Sequence, residues 1–400
     1  MNKKLLLIVS VVVVVAGLLI GAYFLFFSNK PAIPIGEPNP FIGAGDREPS
    51  DSAPTGPVEG AGTIVAPHLI RITDGPVAHG AVALRVTSPQ LASSTPALED
   101  TEVRYVERQS GNVYAFRLHD RTLTRISNKT LPGIVEATWV PGGSRVFARF
   151  VANEGGDGRI ATYSMEASGG DGYFLEPGLS VVGVTGSSTL YTLLSGPGGS
   201  TASSAVIGGT SATTLFTTAL SSISLKPFGG DFVATTHASS EVGGYSFLVQ
   251  KGTGRFIRTL GPFSGLSTLP DPTGKYILYS YVYRGKLLLS VFNMENHTST
   301  QLPVATLAEK CVWLPDSTGL YCGIPTALPA GLPDIWYQGA STFSDRLWHI
   351  NMNTRLATLI VDPAAVAEAS IDMVAMTMDP AEDAVIFTNK ADGSLWAYDF

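Results

Sequence analysis

From residue 138 onward the chain repeats one pattern: an apolar strand, a short turn carrying Pro, Asp or Gly, and a second apolar strand. The copies read TWVPGGSRVFARF (138–150), VGVTGSSTLYTLL (182–194), SLKPFGGDFVATT (224–236), TLPDPTGKYILYSY (268–281), VWLPDSTGLYCGI (312–324) and MTMDPAEDAVIFT (376–388). With Pro141, Thr185, Pro227, Pro270, Pro315 and Met378 taken as equivalent, the spacings are 44, 42, 43, 45 and 63 residues. A third strand follows each hairpin, as in RLWHINM (346–352) and SLWAYDF (394–400), and a shorter fourth follows most, as in RFIRTL (255–260). Apolar residues occupy both phases of the two-residue alternation, as expected of a sheet buried on both faces. A four-stranded unit returning about every 44 residues predicts a propeller blade.

Seven third strands can be placed, at 111–118, 158–165, 201–208, 243–250, 285–292, 345–352 and 393–400. The third of these units (179–217) has neither Pro nor Asp at its turn and is placed by spacing. The last ends at Phe400 with no fourth strand, and an open ring would expose unpaired strand edges. The segment HLIRIT (68–73) belongs to no other blade and is expected to complete the seventh, with the first blade starting near Ala81. The predicted fold class is all-β: a seven-bladed β-propeller closed by an N-terminal strand.

A different pattern precedes the repeats. From Leu5 to Phe27 the only strongly polar side chain is Ser10. A helix of that length reaches about 35 Å, enough for a hydrocarbon core of roughly 30 Å. Lys3 and Lys4 lie before it, and Glu37, Asp46, Glu48, Asp51 and Glu59 follow. That asymmetry predicts a single-pass anchor with its N-terminus cytoplasmic and the remainder extracytoplasmic. Residues 31–62 hold seven Pro and six Gly, a composition suited to a disordered linker. The expected domains are an anchor (1–30), a linker (31–63) and a propeller (64–400).

Charged residues are 15% of the chain, the net charge is −7 and the basic residues are scattered. No cationic stripe exists for a run of phosphates, so nucleic acid is not an expected partner.

The hairpin with Trp313, Pro315, Asp316 and Gly319, followed by Leu347-Trp348, resembles the repeat of TolB-like propellers, relatives of the WD-repeat proteins. Asp392-Gly393-Ser394-Leu395-Trp396 with Asp399 carries the same resemblance in the last unit. The likeness extends over residues 64–400 and implies a fold; such repeats serve unrelated functions.

Candidate chemistry is sparse. The long interval before Met378 places its excess at residues 324–343, GIPTALPAGLPDIWYQGAST, between the second and third strands of blade six. Loops at that junction share a face with the blade-to-blade connections, where propellers gather ligands around the channel. Asp334, Trp336, Tyr337 and Gln338 at its centre are candidate ligand-binding residues: flat rings to stack on a sugar or peptide, polar groups to orient it. The alternative is that Trp336 and Tyr337 plug the channel mouth. Cys311 and Cys322 flank one turn symmetrically and should face each other across a hairpin, as a disulfide or as two packed thiols.

No G-x-S-x-G elbow, no paired His-x₃-His and no Cys-x₂₋₄-Cys is present, so no catalytic residue, metal site or cofactor is assigned. The expected function is a membrane-anchored binding or protein-interaction module, held in the membrane through residues 5–27, with a protein, peptide or glycan partner. The alternative is an extracytoplasmic glycan hydrolase or lyase, whose carboxylates would converge on the channel from different blades without a local motif.

Overall fold

The computed structural model describes residues 62–87, 99–152 and 158–400. The expected anchor and almost all of the linker lie outside the described residues. Among the described residues no helix is long and apolar enough to cross a membrane.

Seven antiparallel sheets form the propeller, six of four strands and one of five. The innermost strands are Val82–Thr87, Ile134–Trp139, Leu179–Thr185, Ile223–Phe228, Ser267–Pro270, Cys311–Trp313 and Met373–Met378, in blades one to seven. Blade three, placed by spacing alone, is a regular four-stranded sheet.

The hairpins form because their turns satisfy their own backbone. In blade five the buried Asp271 carboxylate accepts from the Gly274 and Lys275 N–H groups, both at 2.9 Å, while Gly274 takes the left-handed φ of +84° that closes the turn. Asp379 does the same in blade seven, accepting from Asp383 and Ala384 at 2.6 and 2.8 Å. These bonds correct the alignment read from the prolines. The first turn residue donates to the residue that opens the second strand: Val140 to Arg145, Asp271 to Tyr276, Leu314 to Gly319 and Asp379 to Ala384. By that register Asp271 corresponds to Leu314 and not to Asp316, so the proline marks no single structural position. Proline slides along the turn because it needs only a compatible φ and a site with no required N–H.

The ring is closed by the N-terminal segment. Leu69–Arg71 pairs antiparallel with the last strand, Leu69 opposite Tyr398, Ile70 opposite Ala397 and Arg71 opposite Trp396. One strand was not foreseen: Thr63–Ala66 folds back on Leu69–Arg71 as a fifth strand, which includes Thr63, the last residue assigned to the linker. Closure is sealed by apolar packing, with Ile70, Ile72, Phe116, Ile386 and Ala397 sharing one buried cluster across blades seven and one.

Candidate functional site

The blade-six insertion folds inward. Asp334–Tyr337 forms a single helical turn. The Asp334 carboxylate accepts from the Ser240 N–H at 2.6 Å, which ties the insertion to the loop after the second strand of blade four. Burial opposes ionisation of Asp334, but the bonds from Ser240 and Ser239 prevail and hold its carboxyl below the usual value. The Trp336 indole is 4% exposed and stacks on Phe343 with centroids 6.0 Å apart. Its Nε1 donates to Asp372 at 2.9 Å, and Lys390 Nζ lies 3.8 Å from the ring centroid. Trp336 is thus enclosed, with no face free to stack on a ligand. Gln338 is exposed at the end of the turn, its N–H bonded to the Asp334 carbonyl.

Beneath Trp336 lies a buried charge centre that inspection of the sequence missed. Lys310 precedes the innermost strand of blade six, Asp345 opens its third strand, and Asp372 precedes the innermost strand of blade seven. Lys310 Nζ reaches Asp345 at 2.7 Å, pairs with Asp372, and donates to the Met373 carbonyl at 3.0 Å. All three charged side chains are fully buried. Asp372 also accepts from the Phe343 N–H at 3.1 Å, and Asp345 from the Met373 N–H at 2.7 Å. Burial pushes the Asp345 carboxyl up to about 6 against the pull of Lys310. Two carboxylates on one ammonium leave a net negative centre, which the indole N–H and backbone donors stabilise. The clue available in the sequence was a lysine one residue ahead of an apolar inner strand, in AEKCVW (308–313).

Tyr337 points the other way. Its hydroxyl donates to Glu309, and its ring lies 5.6 Å from that of His237. Burial, then Glu309, push its pKa well above the ordinary phenol range. Tyr337, His237 and Glu309 form one wall of a cavity of about 390 Å³ at the channel mouth, bounded by blades three, four and five. Nine of its seventeen lining residues are Ser or Thr, so its surface is hydrogen-bonding and suits a polar occupant. Lys226, on the innermost strand of blade four, also lines it. Of the four residues proposed from the insertion, the fold brings Tyr337 to this cavity, encloses Trp336, ties Asp334 to blade four, and leaves Gln338 exposed.

Cys311 and Cys322 are direct cross-strand partners, with Cα atoms 4.1 Å apart and their sulfurs joined. Among the described residues no group of three or more His, Cys, Asp or Glu side chains is placed to hold a metal ion.

No family model matches the chain, and no curated protein matches it. Solved structures do. An oligogalacturonate lyase in complex with manganese is 10% identical with a TM-score of 0.55, over 83% of this chain and 93% of that one. An oligogalacturonate lyase from Vibrio parahaemolyticus is 10% identical with a TM-score of 0.53, over the same shares of 83% and 93%. Hydrazine synthase of Kuenenia stuttgartiensis is 12% identical with a TM-score of 0.51, over 86% of this chain and 99% of that one. At such identities the likeness is one of fold. TolB from Acinetobacter baumannii also matches, at 12% identity and a TM-score of 0.44 over 70% of this chain and 62% of that one, a likeness too loose to carry weight.

Proposed function

We propose that this chain is an extracytoplasmic binding module, tethered through residues 5–27, whose propeller takes up a small hydroxyl-rich solute in the cavity at the channel mouth. The observation that carries this reading is the chemistry of the cavity wall. Hydroxyl groups dominate it, whereas its one carboxylate, Glu309, is engaged by the Tyr337 hydroxyl. The two carboxylates that flank Lys310, Asp345 and Asp372, are ion-paired with it and fully buried, Asp372 beneath the Trp336 indole. That argues against the paired acid and base of a glycan hydrolase at this mouth. The resemblance to manganese-bound oligogalacturonate lyase is one of fold, and the described residues do not assemble a manganese ligand set.

The test is calorimetric titration of the purified full-length chain with a panel of hexoses, hexuronates, hexose phosphates and short peptides, followed by recovery of the solute. We expect one solute bound per chain and returned unchanged, with binding abolished by Ser224→Phe, which fills the cavity, at an unaltered thermal midpoint. Turnover of the solute, or full binding by Ser224→Phe, would overturn the reading. Protease accessibility of the propeller on intact cells tests its expected location. Protection from added protease, with digestion only after lysis, would exclude it.

A further inference from the structure

We infer that the solute carries an anionic group, a carboxylate or a phosphate, on a hydroxylated body, and that Lys226 grips that group; this rests on the binding role proposed above. Among the described residues Lys226 Nζ makes one hydrogen bond, to the Thr268 carbonyl at 2.8 Å. An ammonium has three N–H donors, so two are left for a ligand. No carboxylate forms an ion pair with Lys226 among the described residues. Glu309 is the acid whose charge it feels, and that carboxylate already accepts from Tyr337. Burial lowers the Lys226 pKa while Glu309 opposes the shift, so the cation is desolvated without full compensation. An anion entering the cavity would supply what is missing.

The hydroxyls sort the cavity into two sides. On the blade-three side Ser180 Oγ donates to the Leu193 carbonyl at 3.0 Å, and Ser200 Oγ donates to the Leu220 carbonyl at 2.6 Å. Ser195 bridges these two hydroxyls at 2.9 and 3.0 Å. Of these three, Ser180 and Ser195 line the cavity and Ser200 is buried behind them; with every proton of the cluster engaged within it, the two lining hydroxyls offer mainly lone pairs, so this wall receives hydroxyl donors. On the blade-four side the Thr236 hydroxyl accepts from the Tyr245 N–H at 2.9 Å, which leaves its own proton free. With the two Lys226 protons, that wall donates. A solute with an acid group at one end and hydroxyls at the other matches both sides.

The experiment titrates the full-length chain with a hexuronate, the corresponding neutral hexose and the hexose phosphate. We expect one of the two acids to bind at least tenfold tighter than the hexose, and the tighter acid to identify the anion. Lys226→Met should reduce that acid at least tenfold and leave the hexose unchanged, while Lys226→Arg should stay within threefold of wild type. Equal affinity for acid and hexose, or a Lys226→Met effect within twofold, would overturn the assignment of charge while leaving the binding role standing. Binding only of uncharged or cationic solutes from the wider panel would do the same. Failure of every solute to bind would remove both.

Discussion

Two lysines, one on each side of the blade-six insertion, sit under opposite conditions. Lys310, between blades six and seven, spends its donors on Asp345, Asp372 and the Met373 carbonyl and is fully buried. Lys226, on blade four, makes one bond to a carbonyl and lines a cavity. A buried charge with partners on every side is part of the framework, because removing any member strands the others. A charge half enclosed and incompletely partnered holds unspent capacity for something that comes from outside. The plug loop joins the two regions: Trp336 seals the first and its neighbour Tyr337 walls the second.

The contrast is open to direct attack. Lys310→Met leaves two buried carboxylates without their cation and should cost about 3–5 kcal/mol in urea unfolding. A cost under ~1 kcal/mol would show that the centre does not hold blades six and seven together. A pH series on Asp345 comes next. Its folded value of about 6 lies above the ordinary 3.8, so the folded chain keeps a proton there that the unfolded chain releases. Its contribution to stability is fully present below the unfolded value and is lost as pH rises through the folded one. The stability of wild type relative to Asp345→Asn should therefore fall between about pH 4 and 6, by on the order of 2 kcal/mol, in urea midpoints taken across that range. A flat difference would mean that Lys310 keeps Asp345 ionised throughout. Trp336→Phe keeps the packing on Phe343 but removes the donor to Asp372, and should cost about 1–2 kcal/mol in thermal unfolding. The smallest effect belongs to the other lysine. Lys226→Met should change stability by less than ~1 kcal/mol in urea unfolding, since it exchanges one hydrogen bond for relief of a desolvated charge. A loss as large as that of Lys310→Met would erase the distinction between the two sites.

The blades were legible because their cause is local. Turn residues and two-phase apolar strands recur at nearly fixed spacing, and a four-stranded sheet buried on both faces needs both. The closing strand was legible by subtraction, since the last blade lacked an outer strand and HLIRIT had no other place. Cys311 and Cys322 could be set opposite each other because an antiparallel hairpin pairs residues symmetrically about its turn. The proline alignment failed because the register belongs to hydrogen bonds made at Val140, Asp271, Leu314 and Asp379, three different residue types. Thr63–Ala66 was not foreseen because it stands at the boundary between the expected linker and propeller and belongs to no repeat.

The insertion shows where local reasoning stops. Its length and its place in blade six could be counted from the spacing of repeats, but the direction of each ring could not. Trp336 turns inward because Asp372, on the next blade, offers its indole an acceptor, and Tyr337 turns to the cavity because Glu309 lies there. Lys226 and Lys310 sit in inner-strand segments of similar appearance, and nothing within a few residues of either separates them.

The sequence alone therefore determined the number of blades, the closing strand and the placing of the two cysteines opposite each other, since each follows from periodicity and pairing along neighbouring stretches of chain. Only the tertiary structure decided which lysine is saturated and which is open. Lys310's partners are Asp345, 35 residues on and two strands away in the same blade, and Asp372, 62 residues on at the next blade; Lys226 bonds Thr268 across 42 residues on its neighbouring blade, and only the folding of the blades and their packing side by side bring such residues within bonding distance.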